Sequence, residues 1–244
     1  MEERLYGVNT VSMWPWSVGK KGPERSIRIA KKAGYDGIQA LPMKDWGYEN
    51  VNNWRKNVIS FEDAWNTGPL WKALLRHLGL TKSQAPTIFD WLVFGKLQAY
   101  SYPNAIWCSH EVQYGAVTEI HPGLWKDPQK YVDYCWKENG TLCWDTKHIR
   151  RFGKESSNGL NDWRKLLKWI PDKSIKLIHV QAFSKEELND FLQDKPTELD
   201  EMLQALRYKT VAPAIVEVFP PLKTPQGTVR YLKKMLDITK SWLR

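Results

Sequence analysis

The sequence predicts an α/β chain folded as a (β/α)8 TIM barrel, with an irregular or incomplete fourth βα unit. Three observations carry that expectation. Short apolar runs alternate with stretches of helical period along the chain. Repeated units of this kind imply parallel strands joined by right-handed crossovers. The length, 244 residues, is close to that of one such barrel, about 250. No Ser/Gly-rich linker, low-complexity tract or internal repeat divides the chain, so residues 1–244 read as a single domain.

The elements follow in order. Leu5–Ser12 reads as the first strand, and a helix from Pro23 to Ala33 is bracketed by proline at its start and Gly34 at its end. Tyr35–Leu41 is the second strand, and helical periodicity runs from Phe61 to Leu78. Leu80–Ala85 is the expected third strand, followed by a helix over Thr87–Gln98 and a strand at Ala105–Ser109. Four more strands lie in the runs Ala116–His121, Thr141–His148, Ile175–His179 and Pro213–Glu217. Helices are expected near Asp127–Glu138, Leu160–Trp169, Lys185–Leu192, Glu198–Leu206 and Pro225–Trp242. One link breaks the rhythm. Only His110–Tyr114 separates the fourth strand from the fifth, whereas a parallel crossover ordinarily takes a dozen residues or more. Either a helix is missing there or Ala105–Ser109 is not a barrel strand.

Composition narrows the chemistry. Lys and Arg number 36 against 27 Asp and Glu, a net charge of +9, which points to an anionic partner such as a phosphorylated metabolite or nucleic acid, or simply to solubility. Three cysteines without metal-ligand spacing argue against a disulfide scaffold and for a reducing cytoplasm. No run approaches the roughly 18 apolar residues of a membrane span, so no membrane partner is expected. Of the 14 tryptophans, Trp14 and Trp16 flank Pro15 just past the first strand, where flat rings suit a ligand cleft. No phosphate-cradling glycine loop, nucleophile elbow or thiol–imidazole signature is present.

The last four strands each end in a group that binds divalent cations: Glu119, Asp145, His179 and Glu217. In a barrel strand alternate side chains point inward, and sites gather at the C-terminal ends. Val117 lies beneath Glu119, Cys143 beneath Asp145, Leu177 beneath His179 and Ile215 beneath Glu217, while Ile178, Val180, Val216 and Val218 face the helix layer. Three carboxylates so close repel one another. One divalent cation removes the repulsion, and three oxygens with one imidazole suit Mn2+, Mg2+, Co2+ or Zn2+. His148 lies three residues beyond Asp145, as a further ligand, a support or a substrate contact. His121 and Gln181 sit one step above Glu119 and His179 and are placed as substrate contacts. Arg150 beside Arg151 reads as a clamp for an anion or as a solvated basic pair. His77 and His110 receive no role.

With these residues laid out, the chain resembles the xylose-isomerase-like TIM barrel superfamily, which includes sugar-phosphate isomerases and epimerases and the apurinic-site endonucleases of that fold. The resemblance rests on Gly34-Tyr35-Asp36-Gly37-Ile38-Gln39, Glu119-Ile120-His121-Pro122, Leu142-Cys143-Trp144-Asp145-Thr146-Lys147-His148, Ile178-His179-Val180-Gln181 and Val216-Glu217-Val218. It implies metal binding by Glu119, Asp145, His179 and Glu217 and substrate contact by His148. It departs from the family at Gln39, often a glutamate and here placed among the substrate contacts, and at Gln181-Ala182, where a second acid is common. Extra histidines on the third and fourth strands, which the endonuclease branch uses to hold three metals, have no evident counterpart. The expected function is therefore a one-metal isomerase or epimerase of a ketose, sugar phosphate or related carbonyl compound. Glu119 and Glu217 would move the proton alpha to the carbonyl under a cap formed by Trp14, Trp16 and Pro42–Gln84. Cleavage at abasic DNA, with nucleic acid as the less favoured partner, and a non-catalytic sugar-binding barrel are the alternatives; the oligomeric state stays open.

Overall fold

A computed structural model of the chain describes residues 3–41, 55–62, 105–152, 159–218 and 224–244. Eight short strands form a closed, wholly parallel barrel in sequence order. They are β1 (Tyr6–Asn9), β2 (Gly37–Ala40), β3 (Val58–Glu62), β4 (Ile106–Ser109), β5 (Val117–Glu119), β6 (Leu142–Asp145), β7 (Ile175–Val180) and β8 (Ala214–Val216). Closure is direct: β8 pairs with β1, setting Val8 beside Val216.

The helices are α1 (Gly22–Ala33), α2 (Gln129–Lys137), α3 (Trp163–Trp169), α4 (Lys185–Leu192), α5 (Glu198–Lys209) and α6 (Pro225–Leu243). Their ends are written in local chemistry. Pro23 opens α1, and Gly34 closes it in the left-handed region at φ 93°, where glycine carries no Cβ penalty. Thr197 and Asp200 form a reciprocal capping box at α5, and the Ser184 and Thr224 side chains cap α4 and α6. Among the described residues no helix is long and apolar enough to cross a membrane.

The barrel interior is filled by Cys108, Val117, Cys143, Leu177 and Ile215, so the inward parity expected of the last four strands holds. Ile178, Val180, Val216 and Val218 pack with the helices. All three cysteines are buried and unbridged.

Two expectations change. The third stave of the barrel is Val58–Glu62 rather than Leu80–Ala85. Helical periodicity beginning at Phe61 masked the end of a β-branched run, and both Phe61 and Glu62 are strand residues. The rest of that expected helix, the segments Leu80–Ala85 and Thr87–Gln98, the remainder of the Pro42–Gln84 cap and His77 lie outside the described residues. The fourth unit resolves differently. Ala105–Ser109 does supply a barrel strand, Ile106–Ser109, and residues 110–116 carry no helix. So short a passage suffices because β5 has only three residues, a rise of about 10 Å at roughly 3.3 Å per residue. Seven extended residues reach about 23 Å.

Candidate metal centre

Three strands and one strand exit deliver the predicted quartet to the mouth of the barrel. Glu119 and Asp145 are the last residues of β5 and β6, His179 is the penultimate residue of β7, and Glu217 directly follows β8. Asp145 and His179 are partners in register. The His179 Nδ1 lies 3.7 Å from Glu119 Oε2, 3.8 Å from Asp145 Oδ2 and 3.6 Å from Glu217 Oε1. Those separations exceed hydrogen-bond length. They are near the spacing of donors that each lie about 2.0–2.2 Å from one cation.

The site also leaves its polar atoms unused. Glu119 Oε2, Asp145 Oδ2 and His179 Nδ1 are buried without a hydrogen-bond partner, a costly state for polar atoms in a protein interior. The Asp-x-x-His spacing explains how Asp145 is aimed. Its Oδ1 accepts from the backbone N–H groups of Lys147 at 2.8 Å and His148 at 2.6 Å, which stiffens the turn and leaves Oδ2 facing the cage. Burial holds the Glu119 carboxyl well above the usual carboxylate range, opposed by the His179 imidazole. His179 is driven the other way by burial, and the Glu217 carboxylate, then Cys108 and then the Glu119 carboxylate more than reverse this, so its proton affinity is well above the ordinary imidazole value.

Sequence reasoning missed three residues of the site. Glu62, at the end of β3, and His110, just past β4, meet Glu119: His110 Nε2 is 3.4 Å from Glu62 Oε1 and 3.3 Å from Glu119 Oε2. The third strand and the exit of the fourth thus each bring to Glu119 a donor to which the sequence reading gave no role. Burial, then the Glu217 charge, push the Glu62 carboxyl well above its usual range. Glu62, His110 and Glu119 form a second group with donor atoms mutually within 4.8 Å, alongside Glu119, Asp145 and His179. Asn9, at the end of β1, is the third. Its Nδ2 donates to Glu217 Oε1 at 2.6 Å, Gln39 Oε1 at 2.8 Å and Glu62 Oε2 at 3.1 Å. The signal for Glu62 was legible as an apolar run ending in a carboxylate, the same pattern that exposed Glu119 and Glu217.

The remaining candidates divide. Gln39 reaches the centre, with Nε2 2.8 Å from His179 Nε2, and Gln181 Nε2 donates to Glu217 Oε2. His148 Nε2 is 3.6 Å from Glu119 Oε1, and burial lowers its pKa. His121 flanks the site between His110 and His148, with ring centroids 5.3 and 5.9 Å away. Both its ring nitrogens are engaged, Nδ1 accepting from Gly123 N at 3.0 Å and Nε2 facing the His110 carbonyl at 3.3 Å. Trp14, half-buried, stands in the turn beyond the short helix Thr10–Met13 that follows β1. Arg150 is engaged by protein partners. Its guanidinium pairs with both oxygens of Glu187 at 2.5 and 3.0 Å, donates to the Thr146 carbonyl at 2.7 Å, and is only 6% exposed. It ties the turn after β6 to α4, so its hydrogen bonds are spent on the fold.

No family model matches the chain, and no curated protein matches it. Solved structures do. A xylose isomerase-like TIM barrel protein from Mycobacterium smegmatis, in complex with magnesium, matches with a TM-score of 0.55 and 11% identity over 100% of both chains. D-allulose 3-epimerase from Methylomonas sp., in complex with D-allulose, matches with a TM-score of 0.54 and 15% identity over 98% of each chain. A xylose isomerase domain-containing protein from Salmonella typhimurium LT2 gives 0.52 and 13% identity over 100% of this chain and 98% of that one. The chain thus has the xylose isomerase-like TIM barrel fold.

Proposed function

We propose that this barrel is a divalent-cation-dependent isomerase or epimerase acting on a ketose, a sugar phosphate or a related carbonyl compound. The observation that carries the reading is the cage itself: Glu119 Oε2, Asp145 Oδ2 and His179 Nδ1, buried without a hydrogen bond and converging with Glu217 at the C-terminal mouth. Hard oxygens with one imidazole fit Mn2+, Mg2+, Co2+ or Zn2+. Glu119, Asp145, His179 and Glu217 would hold such a cation, which would supply Lewis-acid polarisation of a substrate carbonyl and so acidify the adjoining C–H. Glu119 and Glu217 enter the same space from β5 and from the end of β8, a placement suited to taking a proton from one face of a sugar and returning it on the other. The fold likeness to an epimerase holding D-allulose supports the substrate class.

The test is metal content followed by exchange of the alpha proton with deuterated water across a panel of ketoses and their phosphates. Glu217→Gln should retain the cation and lose exchange; undiminished exchange would remove Glu217 from the chemistry.

One observation favours a second reading, phosphodiester cleavage at abasic DNA. Glu119 belongs to two donor groups, the second completed by Glu62 and His110, and paired cations suit in-line displacement at phosphorus. The charge of +9 agrees with a polyanionic partner. Two or more cations per chain with salt-sensitive binding of abasic duplex would establish it, and one cation with no DNA binding would discard it.

A further inference from the structure

We propose that Gln39 is a positioning residue which, aligned by Asn9, holds the His179 imidazole in its Nδ1–H form, so that a cation takes Nδ1 only when the Gln39 amide is opposed or turned over. The proposal rests on His179 being a cation ligand and adds what controls that ligand. The argument starts from a backbone group whose role is fixed. Val11 N–H, always a donor, points at Asn9 Oδ1 at 2.9 Å, so the Asn9 amide has one orientation. Its NH2 end then faces Glu217, Glu62 and Gln39, and two carboxylates among those acceptors reinforce the assignment. Gln39 must therefore show its carbonyl oxygen to Asn9, at 2.8 Å. Its NH2 is left for His179 Nε2, also at 2.8 Å.

An N–H donor at that distance requires a lone pair on Nε2. The single proton of the neutral ring then sits on Nδ1, aimed at the carboxylates of Glu119, Asp145 and Glu217. That form turns the Nδ1 proton toward three carboxylates. It is the wrong form for a ligand, because a cation on Nδ1 of the neutral ring leaves the proton on Nε2, facing the Gln39 NH2. Turning the Gln39 amide over cures that contact but sets its NH2 against the Asn9 NH2, which Val11 prevents from turning in response. One buried donor–donor contact remains either way. A carboxylate at position 39 would accept from Asn9 Nδ2 and His179 Nε2–H together, the arrangement that strengthens histidine ligands.

Two measurements on the full chain test this. In metal-free wild-type protein, at a pH high enough to leave the His179 ring neutral, 15N NMR of the imidazole nitrogens, with His179 assigned through its loss in His179→Asn, should show Nδ1 protonated and Nε2 bare. Calorimetric titration with Mn2+ should show Gln39→Glu binding roughly 10–100-fold more tightly than wild type, with the ring proton moved to Nε2. A neutral metal-free wild-type ring that carries its proton on Nε2 overturns the proposal, as does an unchanged or weaker Mn2+ affinity in Gln39→Glu. Should wild type bind no Mn2+ under any condition, the reading of the quartet as a metal centre falls, and the NMR arm still decides the part played by Gln39. A merely structural Gln39 would move neither the tautomer nor the affinity in these directions.

Discussion

Arg150 follows Asp145 by five positions in a basic pair, and in sequence alone nothing separates a clamp for substrate anions from a brace within the fold. The difference lies in Glu187, a partner 37 positions away that meets it through α4. Arg150→Ala should therefore cost stability, about 3 kcal/mol for a buried pair left one-sided, with Mn2+ affinity unchanged; urea unfolding and Mn2+ titration check both halves. Asp145 is the reverse case. Asp145→Asn keeps Oδ1 for the N–H groups of Lys147 and His148 and replaces the atom that faces the cage. It should lower Mn2+ affinity more than about 100-fold while the metal-free melting temperature holds or rises, since one member of a repelling cluster is gone. His110 shows why single residues are hard to read. It lies beyond a strand whose place in the barrel was in doubt, and only closure of the cylinder brings its ring to Glu62 and Glu119.

At the scale of elements, the staves bearing a ligand at the end of a clear apolar run were legible: β5 to β8, their inward parity and the helices after them, as were the proline and glycine that bracket α1. Val58–Glu62 was not, because its last two residues also begin a helical pattern, and periodicity cannot arbitrate in a stretch that short. The structure supplies the missing constraint, since β2 and β3 approach too closely at Gly37 to admit a side chain. A Cβ there would stand 2.5 Å from the Asn57 carbonyl oxygen. Gly37→Ala should destabilise by about 1–3 kcal/mol through backbone displacement, seen as a lower urea midpoint. Thr197→Ala, which removes half of the capping box at α5, should cost about 1 kcal/mol and leave cation binding intact. A larger loss of binding would mean that α5 positions the site.

For the whole molecule, the gathered acids make stability depend on pH and cation together. Burial raises the folded-state pKa of Glu62 and Glu119, so the unfolded chain releases those protons first. Metal-free stability is then fullest below the ordinary carboxylate range and falls as pH rises through the folded values. A bound cation offsets that loss, contributing about 2.7 kcal/mol at a hundredfold excess over its Kd. The rise in melting temperature on adding Mn2+ should be greater at pH 8 than at pH 5.5, and an equal or smaller rise at pH 8 would contradict this account. The helix-free passage 110–116 acts at the same scale. It begins at His110 and ends three residues before Glu119, so one short connection joins two donors of the same site. A change in its length bears on the spacing between them with no intervening helix to absorb it. A one-residue deletion in the connection is thus a change to the mouth of the barrel, however remote the exposed turn at Gly115 looks on the surface.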